Sequence, residues 1–233
     1  MTEFKCKLLN IFTVESTKQW INQSIIQRNT IHFDFTKLQS RPTAMVSVDL
    51  SVKDDFSCVS YALYDSINKR FVFKNFYYCP EQTILNHHNS EMYNELVKQG
   101  HLIVCGSDVI DYQMIANDII SNAKYLNILQ LGYDSYKSKE FVNIVRASGL
   151  KNLVAVSQTY GNFTSAVDSF ELSVYQGRLQ FDDNPLNIYC FNNVAMDEDK
   201  MGNKKPLKKK HNTKIDGAIC ILMNLILFQN YKR

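Results

Sequence analysis

A chain of 233 residues with 45% hydrophobic content is long and apolar enough to bury a full core, which excludes an intrinsically disordered protein. The formal net charge is only +3, so affinity for a polyanion must come from local clustering and not from a uniformly basic surface. Six cysteines without a Cys-x-x-Cys pair argue against a thiolate zinc site or a disulfide framework, and point to reduced, structural thiols in a soluble, cytoplasmic protein.

In chain order, residues 14–28 have helical spacing around Trp20, Ile21, Ile25 and Ile26, with Glu15 and Ser16 as start signals. Polar residues and Pro42 follow, so residues 1–40 are expected as a linker segment with one helix and residues 41–233 as the main domain. Ala44-Met45-Val46-Ser47-Val48-Asp49-Leu50 reads as a central strand ending in an acid, followed by strands over 56–64 and 70–78 around a hairpin turn at 65–69. The pattern then alternates: helix 90–99, strand 102–105, helix 108–122, strand 125–133, helix 135–147, strand 152–155, helix 164–176. Such alternation predicts parallel pairing with right-handed crossovers, hence an α/β fold with a mixed sheet and helices on both faces. Residues 186–195 read as a further strand and 196–203 as a polar turn. The lysine-rich segment beyond is the expected return arm of an auxiliary β-hairpin, before a last helix from about Thr213. No signal peptide opens the sequence, and the apolar run 215–228 is interrupted by Asp216 and Asn224 and too short to span a bilayer.

Asp49 ends the first strand, Asp134 follows the strand 125–133 and Asp216 opens the last helix. In a parallel α/β sheet such ends meet at one edge. Acids converging there cannot all stay ionised without cations, and hard oxygen ligands suit Mg²⁺ or Mn²⁺. Two such ions would activate a water and stabilise the leaving oxygen of a phosphodiester. Asp residues at strand ends also serve as caps and turn formers, so spacing alone leaves both readings open. Asp55, in the turn after the first strand, is a further candidate ligand. Seven lysines between residues 200 and 214 lead into Asp216. Of these, Lys204, Lys205, Lys208, Lys209, Lys210 and Lys214 are the candidate contacts to DNA, a solvated loop being the other reading. His87 and His88 have no partner at metal spacing and read as surface residues, while Asp108 and Asp111 read as an N-cap and a first-turn acid. Gly-x-x-x-x-Gly-Lys-Ser/Thr does not occur in the sequence, which excludes a self-contained P-loop ATPase.

Val48-Asp49-Leu50-Ser51 followed by Asp55, Gly132-Tyr133-Asp134, and Lys214-Ile215-Asp216-Gly217-Ala218 resemble the nuclease domain of tailed-bacteriophage terminase large subunits. Ser157-Gln158-Thr159-Tyr160-Gly161, Gly177-Arg178-Leu179, Asn184-Pro185-Leu186 and Asn192-Asn193-Val194 resemble that family in the same order. Leu8-Leu9-Asn10-Ile11 through Trp20-Ile21 resembles the linker leaving its ATPase domain. The resemblance implies a ribonuclease H-like fold that cuts concatemeric viral DNA during genome packaging, with two divalent ions held by Asp49, Asp134 and Asp216. Asp55 matches a nearby acid of the family, and residues 186–210 correspond to a hairpin beside the site that contacts or restricts DNA. Double-stranded DNA, the terminase small subunit, the portal and the ATPase domain of the full-length subunit are the implied partners, in the host cytoplasm and without a membrane. Two rivals stand beside this reading: a catalytically silent DNA-binding or packaging-interaction module, and another ribonuclease H-like nuclease of the resolvase type.

Overall fold

The computed structural model describes residues 19–136 and 138–231. Cys6, the Leu8–Ile11 stretch and the first part of the helix expected over 14–28 lie outside the described residues.

Strand β2 (Thr43–Asp49) is buried through its middle on both sides, as its near-continuous apolar sequence requires. It pairs antiparallel with β3 (Ser57–Asp65), which pairs antiparallel with β4 (Arg70–Cys79). The β3–β4 turn closes because Asp65 Oδ1 accepts the backbone N–H groups of Ile67 and Asn68 at 3.1 Å each. On its other side β2 pairs parallel with β6 (Asn127–Tyr133), and β6 with β7 (Leu153–Ala155). Beyond β4 lie β8 (Leu179–Asp182) and β1 (Thr30–Ile31), while β5 (Ile103–Val104) pairs farther along β4. The order β1-β8-β4-β3-β2-β6-β7 makes one mixed, eight-stranded sheet when β5 is included.

Successive side chains of β2 enter opposite cores, as strand geometry dictates. Val46 and Val48 pack with Val59 and Tyr61 under helices α4 (Tyr112–Asn122) and α5 (Lys139–Ala147). Met45 joins Cys58, Phe73 and Tyr77 on the other face. That face is covered by α1 (Gln23–Arg28), α2 (Glu81–Asn86), α3 (Ser90–Lys98), α6 (Tyr160–Tyr175), α7 (Pro185–Asn192) and α8 (Asp216–Asn230). Small residues let α8 approach the sheet closely. Ser47 Oγ donates to the Cys220 carbonyl at 2.7 Å, and a Cβ on Gly132 would stand 2.8 Å from Leu227 Cδ1. Among the described residues no helix is long and apolar enough to cross a membrane, and the five described cysteines are free and buried.

Several expectations need correction. Residues 186–195 are not a strand: Asn184 caps α7 by accepting the Leu186 N–H at 3.0 Å, Pro185 opens the helix, and only then does β9 (Val194–Glu198) begin. A short apolar run with no clear period could not distinguish the two states. Asp111, not Asp108, caps α4, accepting from the N–H groups of Gln113 and Met114 at 2.9 and 3.0 Å. Helix α5 starts at Lys139 and α6 already at Tyr160, and β1, α2 and β8 are additions that the sequence pattern does not signal. The return arm expected from the lysines is β10 (Lys204–Lys208), paired antiparallel with β9. The described part of the expected linker is built into the domain: Ile21, Ile26 and Phe35 are buried and β1 extends the sheet beside β8.

Candidate active site

Val48 of β2 pairs with Tyr133 of parallel β6, so Asp49 and Asp134 leave adjacent strand ends. With antiparallel β3 on the other side of β2, this edge is where the strand order reverses, the place where open α/β sheets bind ligands. Helix α8 starts over the same edge and carries Asp216 in its first turn. Asp55 enters from the loop 50–56, which Ser51 braces by donating to the Asp55 carbonyl at 3.0 Å and accepting through its own carbonyl from Tyr112 Oη at 2.9 Å.

The electrostatics show which acids share the site. Burial pushes the Asp49 carboxyl from 3.8 up to about 7, with the Asp55 and Asp134 charges adding to it and Lys208 and a Gln158 hydrogen bond opposing. Burial also raises Asp216 well above the carboxylate range, reinforced by Asp55 and Asp49 and opposed chiefly by Lys208. Asp216 Oδ2 is buried without a hydrogen-bond partner among the described residues. Asp134 stands at the rim: its Oδ1 accepts the Tyr136 N–H at 3.1 Å, and its carbonyl accepts from Ser138 Oγ.

The six lysines divide. Lys214 is 4% exposed, donates to the Asp54 carbonyl at 2.7 Å, pairs with Asp55 Oδ1 at 3.0 Å and lies over the Phe56 ring. Lys208 Nζ pairs with Asp55 Oδ2. Lys204 Nζ is held by Asp168 at 2.8 Å and Glu171 at 3.0 Å. These three ammonium groups are each held by protein oxygens; Lys205 lies over the Tyr160 ring, Lys209 is half-buried and Lys210 is exposed. His87 stacks on Tyr93 with centroids 4.3 Å apart, and burial lowers its pKa to about 4, so it sits neutral against an aromatic ring.

Gln158 belongs to the site although its side chain carries no charge to draw attention in the sequence. It follows β7, the strand beside β6, and the same parallel-sheet rule that selects Asp49 and Asp134 brings it to this edge. Its amide side chain favours the ionised form of Asp49.

Among the described residues no three His, Cys, Asp or Glu side chains stand at the spacing that encloses an ion. The donor set nevertheless fits a hard divalent cation: half-buried Asp49 and buried Asp216 are oxygen donors that repel one another, and one Asp216 oxygen is unsatisfied. The metal-free protein should therefore lose stability as pH rises. A carboxyl whose folded pKa exceeds its unfolded one holds its proton longer in the folded chain, so stability falls between about pH 4 and about pH 7. Asp49→Asn removes that penalty. In EDTA the variant should gain about 1.3 kcal/mol on the parent from about pH 5 to about pH 8, half of what the two pH units over which the penalty grows in that window allow, because Asp49 is half-buried. Chemical unfolding at both pH values checks it, and equal pH dependence in the two proteins would refute it.

The mixed sheet with helices on both faces and acids at the reversal edge defines a ribonuclease H-like α/β domain with an acidic site. Over residues 1–231 the chain matches the family model described as terminase large subunit, endonuclease domain, and it belongs to that family. It is 25% identical over 181 residues to the large subunit of terminase from Enterobacteria phage HK97, covering 76% of this chain and 36% of that protein. It is 26% identical over 137 residues to protein YmfN of Escherichia coli strain K12, covering 58% and 30%. The chain thus spans about a third of the length of these curated relatives. The crystal structure of the HK97 large terminase superposes with a TM-score of 0.79 at 21% identity, covering 90% of this chain and 43% of that one. The large terminase nuclease from thermophilic phage G20c with bound magnesium gives 0.57 at 7% identity, covering 94% and 100%. Both likenesses establish the fold.

Proposed function

We propose that this chain is the metal-dependent DNA endonuclease of a terminase large subunit, cutting concatemeric viral DNA during genome packaging. The observation that supports it most is the mutually repelling pair of half-buried Asp49 and buried Asp216, with Asp134 at the adjoining strand end and a lysine-bearing hairpin beside them. Asp49, Asp134 and Asp216 would hold Mg²⁺ or Mn²⁺, and two ions when bound would supply water activation and stabilisation of the departing 3′ oxygen. Asp55 is tied to Lys208 and Lys214 and serves first to fix the loop beside the acids. The magnesium carried by the G20c nuclease structure agrees with the choice of metal.

Lys205, Lys209 and Lys210 would take backbone phosphates, which positions a duplex without reading its bases. Replacing any one of them with Met should weaken duplex binding equally for all sequences. It should also flatten the slope of log affinity against log salt by about 1 for each phosphate that is no longer neutralised. Fluorescence anisotropy at several salt concentrations measures this, and an unchanged slope removes that lysine from the interface. The remaining partners proposed are the ATPase domain of the full-length subunit, the terminase small subunit and the portal, in the host cytoplasm. Plasmid nicking by the purified chain in Mg²⁺, Mn²⁺ or EDTA tests the activity. Cleavage that requires the ion supports the reading, and none at any ion concentration with intact DNA binding favours the silent module.

A further inference from the structure

Lys208 and Lys214 grip the same carboxylate, Asp55, but from different surroundings. The Lys214 side chain is 6% exposed, bonded to the Asp54 carbonyl and packed on Phe56, so it is fixed. The Lys208 side chain is 30% exposed, and among the described residues its ammonium is bonded to Asp55 alone. Lys208 also faces more of the site. Its charge is the first influence opposing the raised pKa values of both Asp49 and Asp216. Burial pulls its own ammonium down, yet the Asp55 bond and the Asp216, Asp55 and Asp49 charges outweigh that and hold it above the usual lysine range.

The hairpin that delivers Lys208 is anchored at its far end. Lys204, four residues earlier on β10, is held by Asp168 and Glu171 of α6, and its N–H donates to Thr164 Oγ1 at 2.9 Å. Tyr160 Oη donates to Asp197 of β9. At the near end the Lys209 N–H donates to the Asn193 carbonyl at 2.9 Å. The backbone at residue 208 is thereby placed, while a long, flexible side chain with solvent on one side remains able to swing away.

We propose that Lys208 is a resident cation of the acidic site, which a divalent ion must displace before it can engage Asp49 and Asp216, so that residue 208 sets how tightly the site takes metal. The inference rests on the metal-site reading above and goes beyond it. Lys208 is then neither a DNA contact nor a plain surface ion pair, and when its ammonium departs it frees Asp55 Oδ2, while Oδ1 stays with Lys214. A site that repels a divalent ion until the hairpin lysine moves couples metal loading to the position of β9–β10.

The test is calorimetric titration of Mn²⁺ into the purified chain near neutral pH without DNA. Lys208→Met keeps the length of the side chain and loses the charge, and should bind Mn²⁺ about tenfold more tightly. Lys208→Arg keeps the charge and should bind no more tightly than the parent. Melting in EDTA verifies that each variant is folded, and Lys208→Gln replaces Lys208→Met should the latter not fold. Parent-like or weaker Mn²⁺ binding by the neutral variant overturns the proposal and leaves the metal site standing. Absence of Mn²⁺ binding from parent and neutral variant alike overturns both.

Discussion

Asp216→Asn should reduce metal-dependent plasmid cleavage by at least about 10³-fold, on the order of 4 kcal/mol of transition-state stabilisation, while leaving the fold intact. The substitution keeps the shape of the side chain and removes the anion. In the parent that anion is expensive: it is buried, faces Asp55 and Asp49, and has one oxygen without a partner among the described residues. The N-terminal dipole of α8 offsets only part of this, since such an effect is worth about 0.3–1 kcal/mol. A group retained at such cost in metal-free protein is explained by a cation that the neutral amide cannot hold. In EDTA, Asp216→Asn should accordingly melt no lower than the parent at about pH 8, because the amide has no charge to desolvate. Cleavage near the parent rate would remove Asp216 from the site. Abolished cleavage together with a collapsed melting transition would make it a folding residue instead.

The sequence is most informative where period and position agree. The acid-terminated run 44–50, the hairpin at 65–69 and the strand-helix alternation after it need only local patterning, and the sheet follows them closely. Asp49, Asp134 and Asp216 stand out because each ends or opens a buried element, and the register Val48 to Tyr133 together with α8 brings these ends to one edge. Pattern fails where tertiary context decides. Residues 186–192 are apolar on nearly every side because α7 packs among α1, α8 and the sheet, so neither period is visible. Strand β8 is four residues long and is stabilised by a network no pattern encodes. Buried Asp182 accepts from Lys74 Nζ at 2.9 Å, from the Asn75 N–H at 3.2 Å and from Asn187 Nδ2 at 2.8 Å. The lysines make the point most clearly. As a run they look alike, but burial separates Lys214, locked beneath the loop, from exposed Lys210, and composition cannot make that distinction.

The second large effect is expected one residue past Asp216. Gly217→Ala should destabilise the protein by about 3 kcal/mol, the upper part of the range for overpacking a core, and should lower cleavage with it. The added Cβ would stand 1.9 Å from Tyr77 Oη and 2.7 Å from Cζ, with ring carbon Cε1 at 2.9 Å. Tyr77 cannot simply yield. It is fully buried, its hydroxyl donates to Asn187 Oδ1 at 2.7 Å, and Asn187 in turn donates to the carboxylate and the carbonyl of Asp182. Either the ring moves and strands buried polar groups, or the first turn of α8 lifts and takes Asp216 away from Asp49. Tyr77→Leu in the same chain separates these routes, because it removes the clashing atoms while costing stability of its own through the missing hydroxyl and ring. If the clash is the cause, the double variant should be more stable than the sum of the single losses predicts by about 1–2 kcal/mol, and its cleavage should recover toward that of Tyr77→Leu alone. Strict additivity in denaturant unfolding would show instead that Gly217 matters through the flexibility of its backbone and not through the space that Tyr77 occupies.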